Sequence, residues 1–151
     1  MYLLLGGCVP YANDYAPTRE RKVSYNGNPR QLPPRLVMRD ARAEKHFVYG
    51  VDPAGFDGEF RKVGSRVAFR LGAASGRRLV LEYRSPSPQS VHVKANGVLV
   101  GEFTADGRDS RDGRGQWSVE LPAAAILEGM PTLVELESPS GFAVASVALE
   151  N

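Results

Sequence analysis

The sequence predicts an all-β fold, an antiparallel β-sandwich preceded by an extended proline-rich N-terminal arm. Sixteen glycines and eleven prolines among 151 residues favour frequent turns over long helices. Apolar and polar residues alternate with a period of two in several short segments, which is typical of antiparallel strands with one buried face. An Asn-Gly pair between two such segments is typical of a tight hairpin.

A change of pattern near residue 46 divides the chain. Residues 1–8 are mostly apolar, and residues 9–45 are predicted to form an extended basic arm, because prolines interrupt them. The first 45 residues carry eight Lys/Arg against four Asp/Glu, whereas residues 46–151, the predicted sandwich domain, carry eleven against thirteen. The net charge of +2 is too small to indicate nucleic-acid binding, and no nucleic-acid partner is expected.

The first clear strands have well-defined inner faces. In "SRVAFRL", Val67, Phe69 and Leu71 share one side of the predicted strand. The segments "RRLVLEYR" and "QSVHVKA" alternate in the same way, which places Tyr83 in the core and His92 at the surface.

The segment "KANGVLVGEF" contains the strongest local signal. Asn96-Gly97 predicts a type I′ turn, because both central residues of that turn need a positive φ. Simple pairing across the turn leaves Phe103 on the outer face, and a bulge at Gly101 would return it to the core.

Three more strands are predicted near the end of the chain, which brings the total to seven or eight. Their segments are "GQWSVELP", "TLVELES" and "GFAVASVAL". Between the first two, "PAAAILEG" predicts a helical turn that ends at Gly129, and residues 138–141 predict a further turn. Trp117 alternates in step with Val119 and Leu121, so it is predicted to lie in the core and not to be an exposed platform for a sugar.

The run from "VHVKANGVLVGEF" through "GQWSVELPAAAILEGMPTLVELES" to "GFAVASVAL" resembles the galactose-binding-like, jelly-roll β-sandwich. It is also similar to accessory domains of bacterial envelope glycosyltransferases and carbohydrate-active enzymes, in which "YGVDPAGFDGEFRKVG" would be the first strand. The resemblance covers about residues 65–150 and implies carbohydrate binding. It does not identify the ligand, because such folds carry many functions.

The loop "ADGRDSRDGRGQW" supplies the predicted ligand-binding residues. Aspartates and arginines alternate along it, and such a loop can hydrogen-bond sugar hydroxyls or a protein partner. The predicted contacts are Arg108, Asp109, Arg111 and Asp112. The alternative is a self-neutralised, solvated loop. Adjacent arginines oppose a calcium site, which needs an excess of oxygen ligands.

Motifs for catalysis, metals and cofactors are not apparent. The only histidines, His46 and His92, lie far apart in the sequence, and with a single cysteine there is no spacing typical of a zinc site. The sequence contains no Gly-x-Ser-x-Gly elbow, Walker loop or Rossmann fingerprint. The protein is therefore predicted to be non-catalytic, without a metal or a cofactor.

The only cysteine, Cys8, ends the stretch Leu5-Gly6-Gly7-Cys8, which resembles the lipidation signal of bacterial lipoproteins. This resemblance implies a lipid anchor on Cys8 and a place in the bacterial cell envelope, outside the cytoplasm. The alternatives are the end of a membrane segment from a longer protein, or a short apolar segment with an inert buried thiol. Arg19, Arg21 and Lys22 would attract an anionic membrane surface, unless they are simply a solvated charge run.

Two hypotheses of function follow from these observations. The first is a membrane-associated, non-catalytic interaction module outside the cytoplasm that binds a carbohydrate. The second is a structural accessory subunit of a membrane-anchored assembly, with the N-terminal arm laid along a membrane-protein partner.

Overall fold

The computed structural model of the protein describes residues 32–72, 76–105 and 114–151. Two short 3-10 helices, Ala43–His46 and Ala123–Ala125, are the helical elements within these ranges. The strands are β1 (Arg35–Val37), β2 (Phe47–Phe56), β3 (Arg61–Leu71), β4 (Arg78–Arg84), β5 (Gln89–Ala95), β6 (Val98–Ala105), β7 (Arg114–Glu120), β8 (Thr132–Glu137) and β9 (Phe142–Glu150). No helix among the described residues is long and apolar enough to cross a membrane.

The strands form one antiparallel sheet that folds into two layers. Hydrogen-bonded neighbours follow the order β6-β5-β8-β3-β9-β4-β7, with β1 added to β9 and β2 added to β3. β3 belongs to both layers, because its residues 61–63 pair with β9 whereas its residues 66–71 pair with β8. A single apolar core lies between the layers. The predicted antiparallel sandwich is confirmed.

The alternating segments bury the side chains that the sequence predicts. Val67, Phe69 and Leu71 are fully buried, Tyr83 is buried, and His92 is exposed. Each fully buried large apolar side chain contributes about 1.5–3 kcal/mol relative to an exposed one, so these strands hold the two layers together.

The β5–β6 hairpin has the predicted turn, and its bulge lies one residue before the predicted Gly101. Asn96 has a φ of 51° and Gly97 a φ of 84°, which are the positive values of a type I′ turn. Val93 pairs with Gly101 while the next residue, Lys94, pairs with Leu99, so Val100 is the extra residue of a bulge. As a result Phe103 lies on the inner side and packs against the core.

Trp117 lies on the predicted side of β7 but is only partly buried. Its ring packs against the core and stacks on Phe103. β7 and β6 are the two ends of the sheet order, so Trp117 closes an open edge of the sandwich and is not enclosed on all sides.

Part of the predicted arm contributes to the sandwich. Leu32, Leu36 and Met38 are buried, and β1 pairs with β9. The sandwich therefore begins ahead of residue 46. Residues 1–31, which include Cys8, Arg19, Arg21 and Lys22, lie outside the described residues.

The segment predicted as a single first strand, "YGVDPAGFDGEFRKVG", is a hairpin. β2 ends at Phe56, the chain turns through residues 57–60, and β3 returns antiparallel to β2. The single-strand prediction is wrong because Asp57-Gly58, with Gly58 at a φ of 103°, reverses the chain. The predicted helical turn is present at Ala123–Ala125, but it ends before Ile126, whose backbone is extended, and not at Gly129. The chain also turns before β9, where Gly141 has a φ of 77°.

Candidate functional site

A groove of about 680 Å³ opens at one end of the sandwich, beside the turns that join β2 to β3, β4 to β5 and β8 to β9. We call this end the groove end. The groove is lined by Gly55, Asp57, Phe60, Lys62, Arg84, Pro86, Ser140, Gly141, Phe142 and Ala143.

Neighbouring strands bring the groove residues together. Lys62 on β3 pairs with Ala143 on β9, and Ala143 pairs in turn with Arg84 on β4. Directly paired residues point to the same side of a sheet, so the small side chain of Ala143 separates two long cationic ones. The groove runs along these three residues because the alanine leaves space that the side chains of Lys62 and Arg84 do not fill.

Asp57 organises the β2–β3 turn at the rim of the groove. Its Oδ1 accepts hydrogen bonds from the backbone N–H groups of Phe60 at 2.8 Å and Glu59 at 3.0 Å. Its Oδ2 forms an ion pair with the guanidinium of Arg84. The two backbone donors, with Phe60 the larger influence, and the Arg84 side chain lower the pKa of Asp57 from 3.8 to about 2. Asp57 is therefore an anion at any ordinary pH.

Phe60 forms an apolar base beneath two arginines. The guanidinium carbon of Arg84 lies 4.5 Å from the centre of the Phe60 ring, and that of Arg114 lies 5.0 Å away. Arg114 also donates two hydrogen bonds to the carboxylate of Glu59, at 2.8 and 3.0 Å. Because the arginines cover Phe60, leaving the residue 3% exposed, its ring is not available for stacking against a sugar.

Buried polar groups shape the opposite wall of the groove. Gln89, the first residue of β5, donates from Nε2 to Gly141 O at 2.7 Å and to Ser85 Oγ at 3.0 Å. Its Oε1 accepts from the backbone N–H and the hydroxyl of Ser140. The Ser138 hydroxyl accepts a hydrogen bond from Gly141 N–H. These bonds connect the 85–88 and 138–141 turns, which carry Pro86 and Ser140 into the groove.

The lining of the groove is suited to binding a polar ligand. A carboxylate, an ammonium, a guanidinium and a hydroxyl surround a partly apolar floor, which matches the alternation of hydroxyls and C–H surfaces on a sugar ring. Asp57 is the only carboxylate among the lining residues that the structure describes, and it stays ionised.

The predicted ligand-binding residues Arg108, Asp109, Arg111 and Asp112 lie outside the described residues. The strand ends that flank their segment are described. Ala105 ends β6 opposite Gln89, and Arg114 begins β7 opposite Arg84, so both flanks are at the groove end.

Sequence reasoning missed the groove residues on β3, β4 and the 138–141 turn. One signal could have found part of the site, since Asp57-Gly58 between two phenylalanines is the same kind of hairpin marker as Asn96-Gly97. The ion pairs and the contacts of Gln89 join residues far apart in sequence, and no local pattern encodes them. In the described part of the chain, no group of three or more His, Cys, Asp or Glu side chains could hold a metal ion.

A second pocket of about 520 Å³ lies at the opposite end, which we call the hairpin end because the β5–β6 turn is there. Its lining includes Leu127 and Met130, which are 52% and 50% exposed. Another exposed apolar side chain, Leu99 at 60%, follows the hairpin turn. The side chain of Asn96 connects this turn to the β7–β8 segment by donating to Ala125 O at 2.8 Å.

Comparison with solved structures relates this fold to known modules. A family 35 carbohydrate-binding module from an environmental isolate matches with a TM-score of 0.53 and 15% identity, over 78% of this chain and 92% of that one. A family 6 carbohydrate-binding module from Clostridium stercorarium, solved with cellobiose, matches with a TM-score of 0.51 and 10% identity over the same shares. A glycoside hydrolase family 43 arabinoxylan arabinofuranohydrolase from Bacillus subtilis, solved with cellotetraose, matches with a TM-score of 0.51 and 14% identity over 80% of this chain and 28% of that enzyme.

No family model matches the sequence, and no curated protein matches it. The structural likenesses, at 15% identity or less, concern the fold. The chain has the jelly-roll-like β-sandwich fold found in carbohydrate-binding modules of families 6 and 35. This confirms the predicted jelly-roll-like β-sandwich fold.

Proposed function

We propose that this protein is a non-catalytic carbohydrate-binding module and that the groove is its saccharide site. The observation that carries the proposal is the likeness to two carbohydrate-binding modules over 92% of the length of each. The groove supports the proposal by its chemistry, because its polar side chains can bond hydroxyls while Ala143 and the exposed Pro86 provide apolar contact. The charged residues Arg108, Asp109, Arg111 and Asp112 stay predicted contacts of the same ligand.

The proposal is tested by screening the purified protein on a glycan array and titrating it calorimetrically with cellotetraose and xylotetraose. Lys62→Ala should weaken binding about tenfold, because an exposed cation on the groove loses its hydrogen bonds to the ligand. Lys94→Ala is the matched control, since Lys94 lies on β5 beside Glu135 and does not line the groove. The absence of saccharide binding in both assays would contradict the proposal, as would equal loss in the two variants.

We also propose that the protein works outside the cytoplasm, on a bacterial membrane, through lipidation of Cys8. The proposal depends on the motif Leu5-Gly6-Gly7-Cys8, and Arg19, Arg21 and Lys22 would then lie near the anionic head groups. Intact-mass spectrometry of protein from its native source tests the idea. A diacylglyceryl adduct on Cys8 would support it, and a chain with a free Cys8 thiol and an unprocessed N-terminus would contradict it.

The second candidate is a structural accessory subunit, and the hairpin end is the observation that favours it. Leu99, Leu127 and Met130 are exposed there, and large apolar side chains grouped at one end are typical of a surface that a partner covers. A membrane-protein partner would be expected to co-purify from gently solubilised membranes. Co-purification that is lost in the Leu127→Ser/Met130→Ser double variant would favour this candidate, whereas an unpartnered protein in the extract would contradict it.

A further inference from the structure

Gln89 is a buried side chain whose hydrogen bonds join two separate turns. The residue is 8% exposed and stands at the start of β5, between the 85–88 turn and the core. It contacts Ser85 in its own connection and Ser140 and Gly141 in the β8–β9 connection, more than 50 residues away in sequence.

The partners of Gln89 require an amide. Gly141 O can only accept a hydrogen bond and Ser140 N–H can only donate one, so one end of the side chain must be a donor and the other an acceptor. The primary amide of glutamine offers both, which fixes its orientation. A glutamate lacks the donor, and a methionine of similar shape lacks both groups.

The same hydrogen bonds fix the positions of two residues of the groove. Ser140 and Gly141 line the groove directly, and Pro86 follows Ser85. A hydrogen bond from Ser138 N–H to Ser65 O at 2.8 Å holds the 138–141 turn to β3, and the Gln89 amide links that turn to the 85–88 turn. Gln89 also pairs with Ala105, the last residue of β6, after which the predicted ligand-binding segment begins.

We infer that Gln89 is the positioning residue of the groove, which holds the 85–88 and 138–141 turns at the separation that a ligand requires. This inference rests on the proposed function for its biological meaning, although its structural content can be tested without a ligand. Gln89 does not itself line the groove; it acts through Pro86, Ser140 and Gly141. Fixing these groups before binding removes an ordering cost from association.

The test compares Gln89→Met and Gln89→Glu with the unaltered protein, and Gln116→Met is the matched control because Gln116 is exposed on β7. Amide hydrogen exchange at Ser140 and Gly141 is followed by NMR spectroscopy, with the amide of Leu133 as an internal reference at the hairpin end. In Gln89→Met we expect exchange at Ser140 to rise about tenfold, since one hydrogen bond that restrains the turn is lost. Gln89→Glu keeps the acceptor, so exchange at Ser140 should rise less.

Binding of cellotetraose supplies the second readout. If the unaltered protein binds cellotetraose, Gln89→Met should raise the Kd about tenfold and Gln89→Glu should give an intermediate Kd. Gln116→Met should leave the Kd unchanged. An unchanged Kd in Gln89→Met, or unchanged exchange at Ser140, would overturn the inference. If the unaltered protein binds no saccharide, that result counts against the proposed function alone. The hydrogen-exchange measurement still tests the positioning role of Gln89.

If Gln89→Met does not fold, the inference is tested by side-chain hydrogen exchange in the unaltered protein. The two Nε2 protons of Gln89 should then exchange at least about tenfold more slowly than those of the exposed Gln116, because both are held in buried hydrogen bonds. Equal exchange at the two side chains would overturn the inference.

Discussion

The rings of Phe103 and Trp117 stack, with their centroids 4.8 Å apart and their planes at 14°. Phe103 is on β6 and Trp117 on β7, the two terminal strands of the sheet order. Among the described residues, no backbone pairing joins these strands, so the stacked rings close this edge of the sandwich. An aromatic pair of this geometry adds about 0.5–1.5 kcal/mol beyond the area that it buries.

The stack depends on a glycine. A Cβ at Gly101 would lie 2.7 Å from Cζ2 of the Trp117 ring, so Gly101→Ala should displace the indole and destabilise the fold by about 1–3 kcal/mol. Trp117 is the only tryptophan, so its fluorescence during urea unfolding reports both the displacement and the stability. Gly64→Ala is the control, because a Cβ there meets only Gly50 O at 3.6 Å. Equal stability of the two variants would contradict the role given to Gly101.

The same substitution at two leucines should separate the core from the surface. Leu136→Ala empties a site between the layers that is 1% exposed, and it should reduce the free energy of unfolding by about 2–5 kcal/mol. Leu99→Ala, at 60% exposure, should change it by less than about 0.5 kcal/mol. Denaturant titration of both variants measures the difference, and similar values would show that the core is elsewhere.

The stability of the fold should fall when the pH drops through 6.5, because of His46. Burial lowers the pKa of this histidine below its ordinary 6.5, and the positive charges of Arg70 and Lys45 lower it further. A backbone hydrogen bond and the charge of Asp40 raise the pKa, but they do not cancel the lowering. Below pH 6.5 the unfolded chain therefore binds more protons than the folded one, so the fold loses stability. This loss of stability levels off below the folded-state pKa. Chemical denaturation at pH 7.5 and 5.5 measures this.

Replacement of His46 provides the control for that prediction. His46→Gln removes the titrating group, so the difference in stability between pH 7.5 and 5.5 should shrink. His92, the other histidine, is exposed and stays in the variant. If the pH dependence of stability is as large in His46→Gln as in the unaltered protein, another group causes it.

Asp57 should keep a low pKa even without its ion pair. The backbone donors of Phe60 and Glu59 are larger influences on this carboxyl than the Arg84 side chain, and together they hold its pKa at about 2. In Arg84→Ala we therefore expect the pKa of Asp57 to rise above about 2 and to stay below 3.8. NMR titration of the carboxyl carbon measures it. A value at 3.8 would mean that the turn opens when Arg84 is removed.

In acid, the contribution of Asp57 to stability has a defined sign. Its folded-state pKa is lowered from 3.8 to about 2, so the contribution is present above pH 3.8 and is lost as the pH falls from there to about 2. Asp57→Asn should remove that part of the acid dependence. If acid unfolding of Asp57→Asn follows the same curve as that of the unaltered protein, Asp57 does not contribute to it.

The sequence by itself determined the features that depend on neighbouring residues. Alternation places Phe69 and Tyr83 inside, and Asn96-Gly97 reverses the chain with positive φ values. The bulge beside Gly101 was also predictable, because only an extra residue puts Phe103 on the inner face. Strand periodicity and turn chemistry are local properties of the backbone and its side chains, so one sequence is enough to infer them.

Only the tertiary structure decided which distant segments meet. β1 lies beside β9, Arg114 bonds Glu59 across 55 positions in sequence, and Gln89 bonds Ser140 across 51. The groove exists because β3 moves from one layer to the other and brings Lys62 next to Ala143. These contacts depend on strand order and on the closing of long loops, and the periodicity of a segment carries no information about its partner.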